Sequence, residues 1–477
     1  MKQSLHYILG ILTILLFIID PIMVSAQWTN TIITPNSNAA GMNENANQCL
    51  AISGDTLHVA YWDHRTNGWA IYYIRSVDSG MNWSVPVPIT DTNGKASDPS
   101  IAVWGSTVHV TWMDSLNGHR CSNYIRSLDG GNTWGNSQIL DTATDWWPGV
   151  ATYGSLVIVT INKIIPVNNS EVFIIRSLDN GNTWLPEQQV STAQNRSEDP
   201  AITINNNDVH LSWNDKRSGV MEIYYCHSSD GGATWGTQTA LSNSDSYSSM
   251  VCYDILNPMN IDVPFGNTST GHFNVYLNQS PDNGATWAGM HNIINDTTID
   301  AYPYEMRIGS DIYMGYLRFG ALGGPRYIHS PDGGATWDPV YSFGSGGMPF
   351  IGHTGCALHV IFSSGGKIHY CQNLSAICGT VDVPDVKTLN NISLFPNPND
   401  GSFSLSYHLS SQNSQLSTLN SQLLIIDITG RVVYQQTISS TDGNEIIDAS
   451  NLNDGIYYWE LIADKTVIDK GKIAVQK

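Results

Sequence analysis

One stretch near residue 305 sets the groups of a nucleophilic site side by side: Tyr302, Tyr304, Glu305 and Arg307. A tyrosine attacks only when a nearby carboxylate takes its proton, and an arginine grips a carboxylate through two parallel hydrogen bonds. Tyr304 and Glu305 are adjacent, so on a strand they point to opposite faces, whereas Tyr302 and Tyr304 share one. Other arginines stand close to acids, in Asp63-His64-Arg65, Arg196 with Glu198, and Asp215-Lys216-Arg217, with Arg318 further on. The first and third of these follow related tryptophan motifs, and Asp98-Pro99 recurs as Asp199-Pro200. Such repetition points to Asp–Arg pairs that brace neighbouring repeats, with ligand contact as the competing role. Trp146-Trp147 is different, because two adjacent tryptophans occur only once. One ring can stack on a sugar while the other packs inward.

These residues need a frame, and an internal repeat supplies it. The pattern Ser-x-Asp-x-Gly-x-Thr-Trp begins at Ser76, Ser127, Ser177, Ser228, Ser280 and Ser330, and departs only at Asn82. Its aspartates, Asp78, Asp129, Asp179, Asp230, Asp282 and Asp332, are spaced 50 to 52 residues apart. Each carboxylate can accept bonds from amides a few residues on, the glycine supplies a positive φ, and the tryptophan buries its ring between sheets. The boxes are therefore turn structure. Around each box runs a four-strand register, as in Ser100–Val103, Val108–Met113, Asn123–Ser127 and Trp134–Leu140. Four strands per ~50 residues, repeated radially, describe the blades of an all-β propeller.

After the sixth box, Cys356–Phe362 and Lys367–Cys371 repeat the strand pattern without a box. At the other end Trp28–Thr34 resembles the missing fourth strand and is expected to close the ring, removing its edges. That gives seven blades, with six as the alternative count. The boxes join strands three and four, so the other loops converge on the opposite face. That face should carry Asp63, His64, Arg65, Asp98, Asp114, Trp146, Trp147, Arg196, Glu198, Asp199, Asp215, Lys216, Arg217, Tyr302, Tyr304 and Arg318, where pockets commonly form. His58, His109, His210 and His359 recur on second strands of separate blades, too far apart to share an ion. Arg75, Arg126 and Arg176 precede boxes and are expected to be solvated.

Only 13% of residues are charged, and 21 basic against 41 acidic residues leave a net charge of −20, which disfavours nucleic acid and anionic membranes. Lys2, the apolar run Ile8–Ile19 and Val24-Ser25-Ala26 read as a signal peptide over residues 1–26, and no later segment is apolar enough to span a bilayer. Seven cysteines without CxxC spacing argue against zinc and for buried thiols, with Cys371 and Cys378 as the pair most suited to a disulfide. No metal or cofactor is expected.

The boxes resemble the Asp-box repeats of the sialidase superfamily across residues 27–375. That resemblance implies three arginines around a substrate carboxylate, a Tyr–Glu nucleophile pair and an Asp acid/base. The family's first arginine lies in Arg-Ile-Pro, which this chain lacks; the corresponding stretch is Asn47–Ile52. After a linker at 376–391, residues 392–477 resemble a type IX secretion sorting domain, through Leu394-Phe395-Pro396-Asn397-Pro398, Ile426-Asp427-Ile428-Thr429-Gly430-Arg431 and Leu452-Asn453-Asp454-Gly455-Ile456-Tyr457. Read without the family, that segment is a small antiparallel β-sandwich with a Ser/Gln/Asn/Leu-rich insert at Leu409–Leu423. The resemblances imply a protein exported or held at the outer surface by the type IX machinery. Its propeller would bind glycans, glycoproteins or other extracellular ligands. An exo-acting sialidase-type hydrolase and a protein-interaction or adhesion platform are the alternatives.

Overall fold

The computed structural model describes residues 28–374, apart from 38, 44–46, 66–67, 117–118, 143–146, 166–168, 193 and 295–296. Beyond these it describes 393–395, 402–408, 421–426, 432–438, 442–453, 455–463 and 466–475. Trp146, the signal-peptide stretch and Cys378 lie outside the described residues. The chain divides into two compact units, residues 1–378 and 379–477. Among the described residues every regular element is a strand.

Among the described residues the first unit forms seven antiparallel sheets, five of four strands and two of five, each with a main path of four strands. In blade 2 these are Ser97–Trp104, Thr107–Leu116, His119–Ser127 and the short Gln138–Asp141. Trp134 lies ahead of that last strand, which is shorter than its residue pattern suggests. Blade 7 draws three strands from Phe350–Asn373 and its fourth, Thr29–Ile32, from the other end of the chain. Thr29 pairs with Gln372 and Ile32 with His369, so the first strand completes the last sheet.

The apolar core lies between blades. One cluster joins Ile74, Val59 and Tyr61 of blade 1 to Val360 and Phe350 of blade 7 and Tyr313 of blade 6; others join blades 1 to 2, 2 to 3 and onward round the ring. Each fully buried Leu, Ile or Phe adds about 1.5–3 kcal/mol.

The boxes explain their own composition. In box 2 the Ser127 hydroxyl donates to Asp129 (2.7 Å) and accepts from the Gly131 amide (2.8 Å). Asp129 also accepts from the Thr133 amide (2.8 Å) and hydroxyl (2.6 Å). In box 1 the Asn82 side-chain amide replaces the threonine hydroxyl, donating to Asp78 at 2.7 Å, so the departure preserves the bond. Bonds from Thr133 and Thr234, side chain first and then backbone, hold Asp129 and Asp230 down at about 2.

Each box is also a socket for the preceding blade. The Trp134 ring meets Tyr73 edge-on at 4.9 Å, and Trp184 meets Tyr124 at 4.8 Å. Trp83 meets Tyr370 at 5.0 Å, continuing the chain of contacts across the closure. Arg75, Arg126 and Arg176 are not simply solvated. The Arg75 guanidinium donates to the Gly130 carbonyl and Asn132, Arg126 to Asn182 (3.0 Å), and Arg176 to the Gly231 carbonyl (3.2 Å). Each lies next to a box serine, within reach of the following blade's turn.

Gly131 has φ +84°, and a Cβ there would lie 2.1 Å from the Tyr73 hydroxyl. Gly105 shares a positive φ (+57°) but has nothing within 4 Å. Gly105→Ala therefore meets only backbone strain of about 1–2 kcal/mol, whereas Gly131→Ala adds a steric clash worth about 1–3 kcal/mol more. Calorimetry should show Gly131→Ala with clearly the lower melting temperature; equal losses would remove the inter-blade role of the box glycine.

The four repeated histidines are internal braces. His58, His109, His210 and His359 hold Nδ1 at 2.6, 2.7, 2.7 and 2.8 Å from the hydroxyls of Tyr73, Tyr124, Tyr225 and Tyr370. The expected Cys371–Cys378 bridge does not form. Cys371 is a free, buried thiol in the core, and among the described residues Cys356 is the cysteine that is disulfide-bonded.

In the second unit a sheet of Ser393–Phe395, Ser402–His408 and Asp442–Asp448 accompanies one of Ser421–Ile426, Val432–Ile438, Gly455–Ala463 and Thr466–Val475. Phe403, Leu405, Leu423, Ile425, Trp459 and Ile473 bury together as one core. Ser421–Leu423 belong to a strand, so the insert ends earlier than its composition suggests.

Candidate functional site

On the face away from the boxes, five successive blades start their innermost strand with a non-glycine residue in the left-handed region. These are Asp98 (φ 52°), Trp147 (49°), Asp199 (56°), Ser248 (57°) and Tyr302 (53°). All but Ser248 precede proline, which disfavours the right-handed helical conformation for the residue before it. In blades 2, 4 and 6 the register shifts here, between Ser97 and Ser100, Glu198 and Ala201, and Ala301 and Tyr304. A bulge re-aims the side chain that strict alternation would assign to the other face. Strain of about 1–3 kcal/mol per residue persists only where surrounding structure enforces it, and it collects at binding sites.

Four of the five strained residues line one cavity of about 340 Å³. Trp147, Tyr302, Tyr247, Phe273 and Phe319 supply rings; Ile299 and Ala301 complete its apolar wall, and Asp199 and Ser248 are its polar members. Among the described lining residues none is basic. Tyr302 and Phe319 have ring centroids 6.1 Å apart, and Tyr247 and Phe273 5.9 Å. Asp199 Oδ2 accepts a bond from Asn214 Nδ2 at 2.8 Å. Burial raises the pKa of Tyr247, Asp245 and Glu198 raise it further, and Arg196 opposes them.

Among the described residues Arg65, Arg196, Arg217 and Arg318 each pair with a carboxylate of their own. Arg65 bonds Asp63 (Nε–Oδ2 2.8 Å) and the Tyr61 hydroxyl (2.9 Å) and lies over the Tyr72 ring. Arg217 bonds Asp215 at 2.6 and 2.9 Å and Gln238 at 2.6 Å, stacked 4.0 Å from the Tyr224 centroid. Arg318 grips Asp300 with two bonds of 2.8 Å, and Arg196 pairs with Glu198. Each pair falls within a single blade, so it fixes that blade's loop and does not brace neighbours. Asp114 accepts from the Ser115 amide (2.7 Å), and His64 lies against Trp69 (5.4 Å).

The Tyr302–Arg307 stretch is divided by the bulge. Tyr302 faces the upper cavity, while Tyr304 is buried edge-on against Phe350 at 5.3 Å, its pKa raised by burial. Tyr302 and Tyr304 therefore do not share a face as unbroken alternation requires. Glu305 and Arg307 line a second cavity of about 590 Å³ with Leu50, Ile52 and the box-face residues Tyr253 and His353. There Arg307 Nη1 bonds both Asp262 oxygens at 2.9 and 3.0 Å, and its Nε lies 3.8 Å from Asp254. Burial first, and then the charge of Asp262, push Glu305 well above the usual carboxylate range. Its Oε1 lies 3.6 Å from the Cys252 thiol. Glu305 beside the Asp262–Arg307 pair forms an internal acid cluster.

Thus the structure brings Trp147 and Tyr302 together with Asp199, and leaves the paired arginines outside that group. Tyr247, Ser248, Phe273 and Phe319 carry no motif of their own; only alignment on the box spacing points to Tyr247 and Ser248.

Residues 393–476 match the family described as secretion system C-terminal sorting domain. No curated protein matches the chain. Among solved structures, an ulvan lyase bound to its saccharide is 11% identical, covering 70% of this chain and 94% of its own, with a TM-score of 0.49. Trypanosoma rangeli sialidase is 10% identical over 93% and 89% (TM-score 0.45), and the α-L-arabinofuranosidase of Fusarium graminearum 16% over 57% and 91% (TM-score 0.41). At these identities and scores no ligand or activity carries across.

Among the described residues the chain is thus an all-β protein: a propeller of seven sheets, followed in sequence by a segment that matches a secretion system C-terminal sorting domain. The sorting domain assigns it to type IX export, and hence to the outside or the outer surface of the cell. No helix among the described residues is long and apolar enough to cross a membrane.

Proposed function

We propose that this is a secreted or surface-held glycan-binding propeller, reaching its place by signal peptide and type IX export, with its ligand site in the 340 Å³ cavity on the face away from the boxes. The observation that carries this is five aromatic rings converging on a strained, pre-set rim without a basic residue among the described lining. Aromatic faces pack against the C–H faces of sugar rings, and side chains held by the backbone lose little entropy on binding. The commitment of Arg65, Arg196, Arg217, Arg307 and Arg318 to carboxylates argues against a sialidase-type clamp.

Glycan-array binding followed by calorimetric titration of the mature protein tests the reading. Trp147→Ala should weaken the bound glycan at least about tenfold, equal to about 1.4 kcal/mol. A variant that binds as well as the parent removes the site. A fluorogenic sialoside should not be turned over; turnover lost in Tyr302→Phe would establish the hydrolase instead.

A further inference from the structure

We infer that the propeller carries a second ligand site on its box face, where Trp104 and Tyr153 form an aromatic shelf for a neutral oligosaccharide. This site is separate from the cavity of Trp147 and Tyr302. Trp104 and Tyr153 each end the innermost strand of a blade at a two-residue turn. The same register position holds Ser53, Asn205, Ile308 and Thr354 in blades 1, 4, 6 and 7, each paired with the residue three further on. The turn therefore forms with small or polar side chains and does not call for a tryptophan. Yet Trp104 is 44% exposed, with its ring centroid 4.1 Å from that of Tyr153 and tilted by 40° to it. A large ring left in water where the turn does not need it is a contact surface, and paired rings suit the C–H faces of sugars.

The shelf adjoins the 590 Å³ cavity on both sides. The Ser53 hydroxyl donates to the Gly105 carbonyl (2.9 Å), tying the Trp104 turn to Gly54 and Asp55, which line that cavity. Tyr153 acts electrostatically on Tyr253, which lines it from blade 5. Within the cavity Leu50, Ile52 and Ile351 are apolar, and Gln48 and Thr203 bring an amide and a hydroxyl. Its ionisable groups favour a neutral ligand. Arg307 holds both Asp262 oxygens, Glu305 is 1% exposed, and burial lowers the pKa of His353, which is uncharged at pH 7.5. Asp55, bonded by the Ser79 hydroxyl at 3.3 Å, is exposed at the rim and repels acidic sugars. Rings on the shelf, with aliphatic, amide and hydroxyl groups behind it, match a sugar chain whose apolar faces and hydroxyl edges alternate.

The test follows the mature, full-length protein, labelled with fluorotryptophan, by fluorine NMR at pH 7.5 as cellohexaose, maltohexaose or mannohexaose is added. The Trp104 and Trp147 signals are assigned by their loss in Trp104→Ser and Trp147→Ala. Trp104→Ser installs the residue that blade 1 carries at this position, so the variant should fold. At least one hexasaccharide should shift the Trp104 signal saturably, and should do so equally in Trp147→Ala. In that Trp147→Ala background, calorimetry should show the same sugar bound at least about tenfold more weakly once Trp104→Ser or Tyr153→Asn is added. A Trp104 signal unmoved by all three sugars overturns the inference. So does a shift that disappears in Trp147→Ala, because the sugar then sits in the other cavity. Unchanged affinity in both Trp104→Ser and Tyr153→Asn overturns it too. The Trp147 signal reports on the other cavity separately, so failure of one site leaves the other standing.

Discussion

The folded propeller should lose stability steeply as the pH falls below about 6.5. Burial lowers the pKa of His58 and His359 from the ordinary 6.5 to about 4, and that of His109 and His210 to about 3. Below pH 6.5 the unfolded chain takes up protons that these buried rings refuse. Stability present above the unfolded pKa is therefore lost as the pH drops toward 4 and then 3. One such proton is worth about 1.4 kcal/mol per pH unit, so four give a slope of up to about 5 kcal/mol per unit. The box aspartates, held low by their turn bonds, add to the loss only at still lower pH. Glu305 acts the other way, since its raised pKa removes stability as the pH rises. Denaturant unfolding of the mature protein at pH 7.5 and pH 5.5 should show a large drop between them. His109→Gln, which removes one titrating ring, should make the slope shallower by about one proton. Equal stability at the two pH values would show that the histidines are accessible to protons in the fold.

Those histidines also mark what a repeat makes legible. Position by position, the second strands carry His58, His109, Ile158, His210, Asp262, Tyr313 and His359, each paired with the residue before a box serine or its equivalent. Local turn chemistry wrote the boxes into the sequence, and strand alternation wrote the blades. The closing strand was legible for the same reason, as Trp28–Thr34 repeats the segment that leaves each box. Contacts between repeats left no local trace. Arg75 reaches a carbonyl in the next blade's turn, so its neighbours in sequence say nothing of that partner. The cavity is harder still. Trp147 and Tyr302 stood out by type, but Tyr247 and Phe319 come from separate strands and Phe273 from the turn ahead of a third, and they meet only in the folded ring. The bulges defeated the face assignment, because one extra residue at Tyr302 reverses what alternation predicts for its neighbours. The dipeptides Asp98-Pro99, Trp147-Pro148, Asp199-Pro200 and Tyr302-Pro303 were the visible part of that signal.

Blade 5 departs from the repeat at Asp262, and the largest single-residue loss is expected from its partner. Arg307→Ala should destabilise the protein by about 3–5 kcal/mol, since it leaves a buried carboxylate without its counter-charge. Asp262 is fully buried, and the Arg307 side chain is only 13% exposed. Burial alone would raise the pKa of nearby Asp254, yet the Gly309 and Leu256 amides hold it low, so that carboxylate stays charged when the arginine is gone. A fall in any activity of this variant would therefore report unfolding before it reported a lost ligand contact. Blade 3 suggests the repair. Where blade 5 has Asp262 paired with Gln279, blade 3 has Ile158, packed in one apolar cluster with Ile174. Replacing a buried ion pair by apolar groups of similar volume is often neutral, whereas removing one partner is not. Asp262→Ile combined with Arg307→Leu should therefore recover most of what Arg307→Ala loses. A double-mutant cycle on unfolding free energy reads the coupling directly. If Arg307→Ala unfolds like the parent, the acid cluster does not hold blades 5 and 6 together. If the double replacement is as unstable as the single one, Arg307 is needed for more than balancing Asp262, and its bond to the Gly309 carbonyl is the contact to remove next.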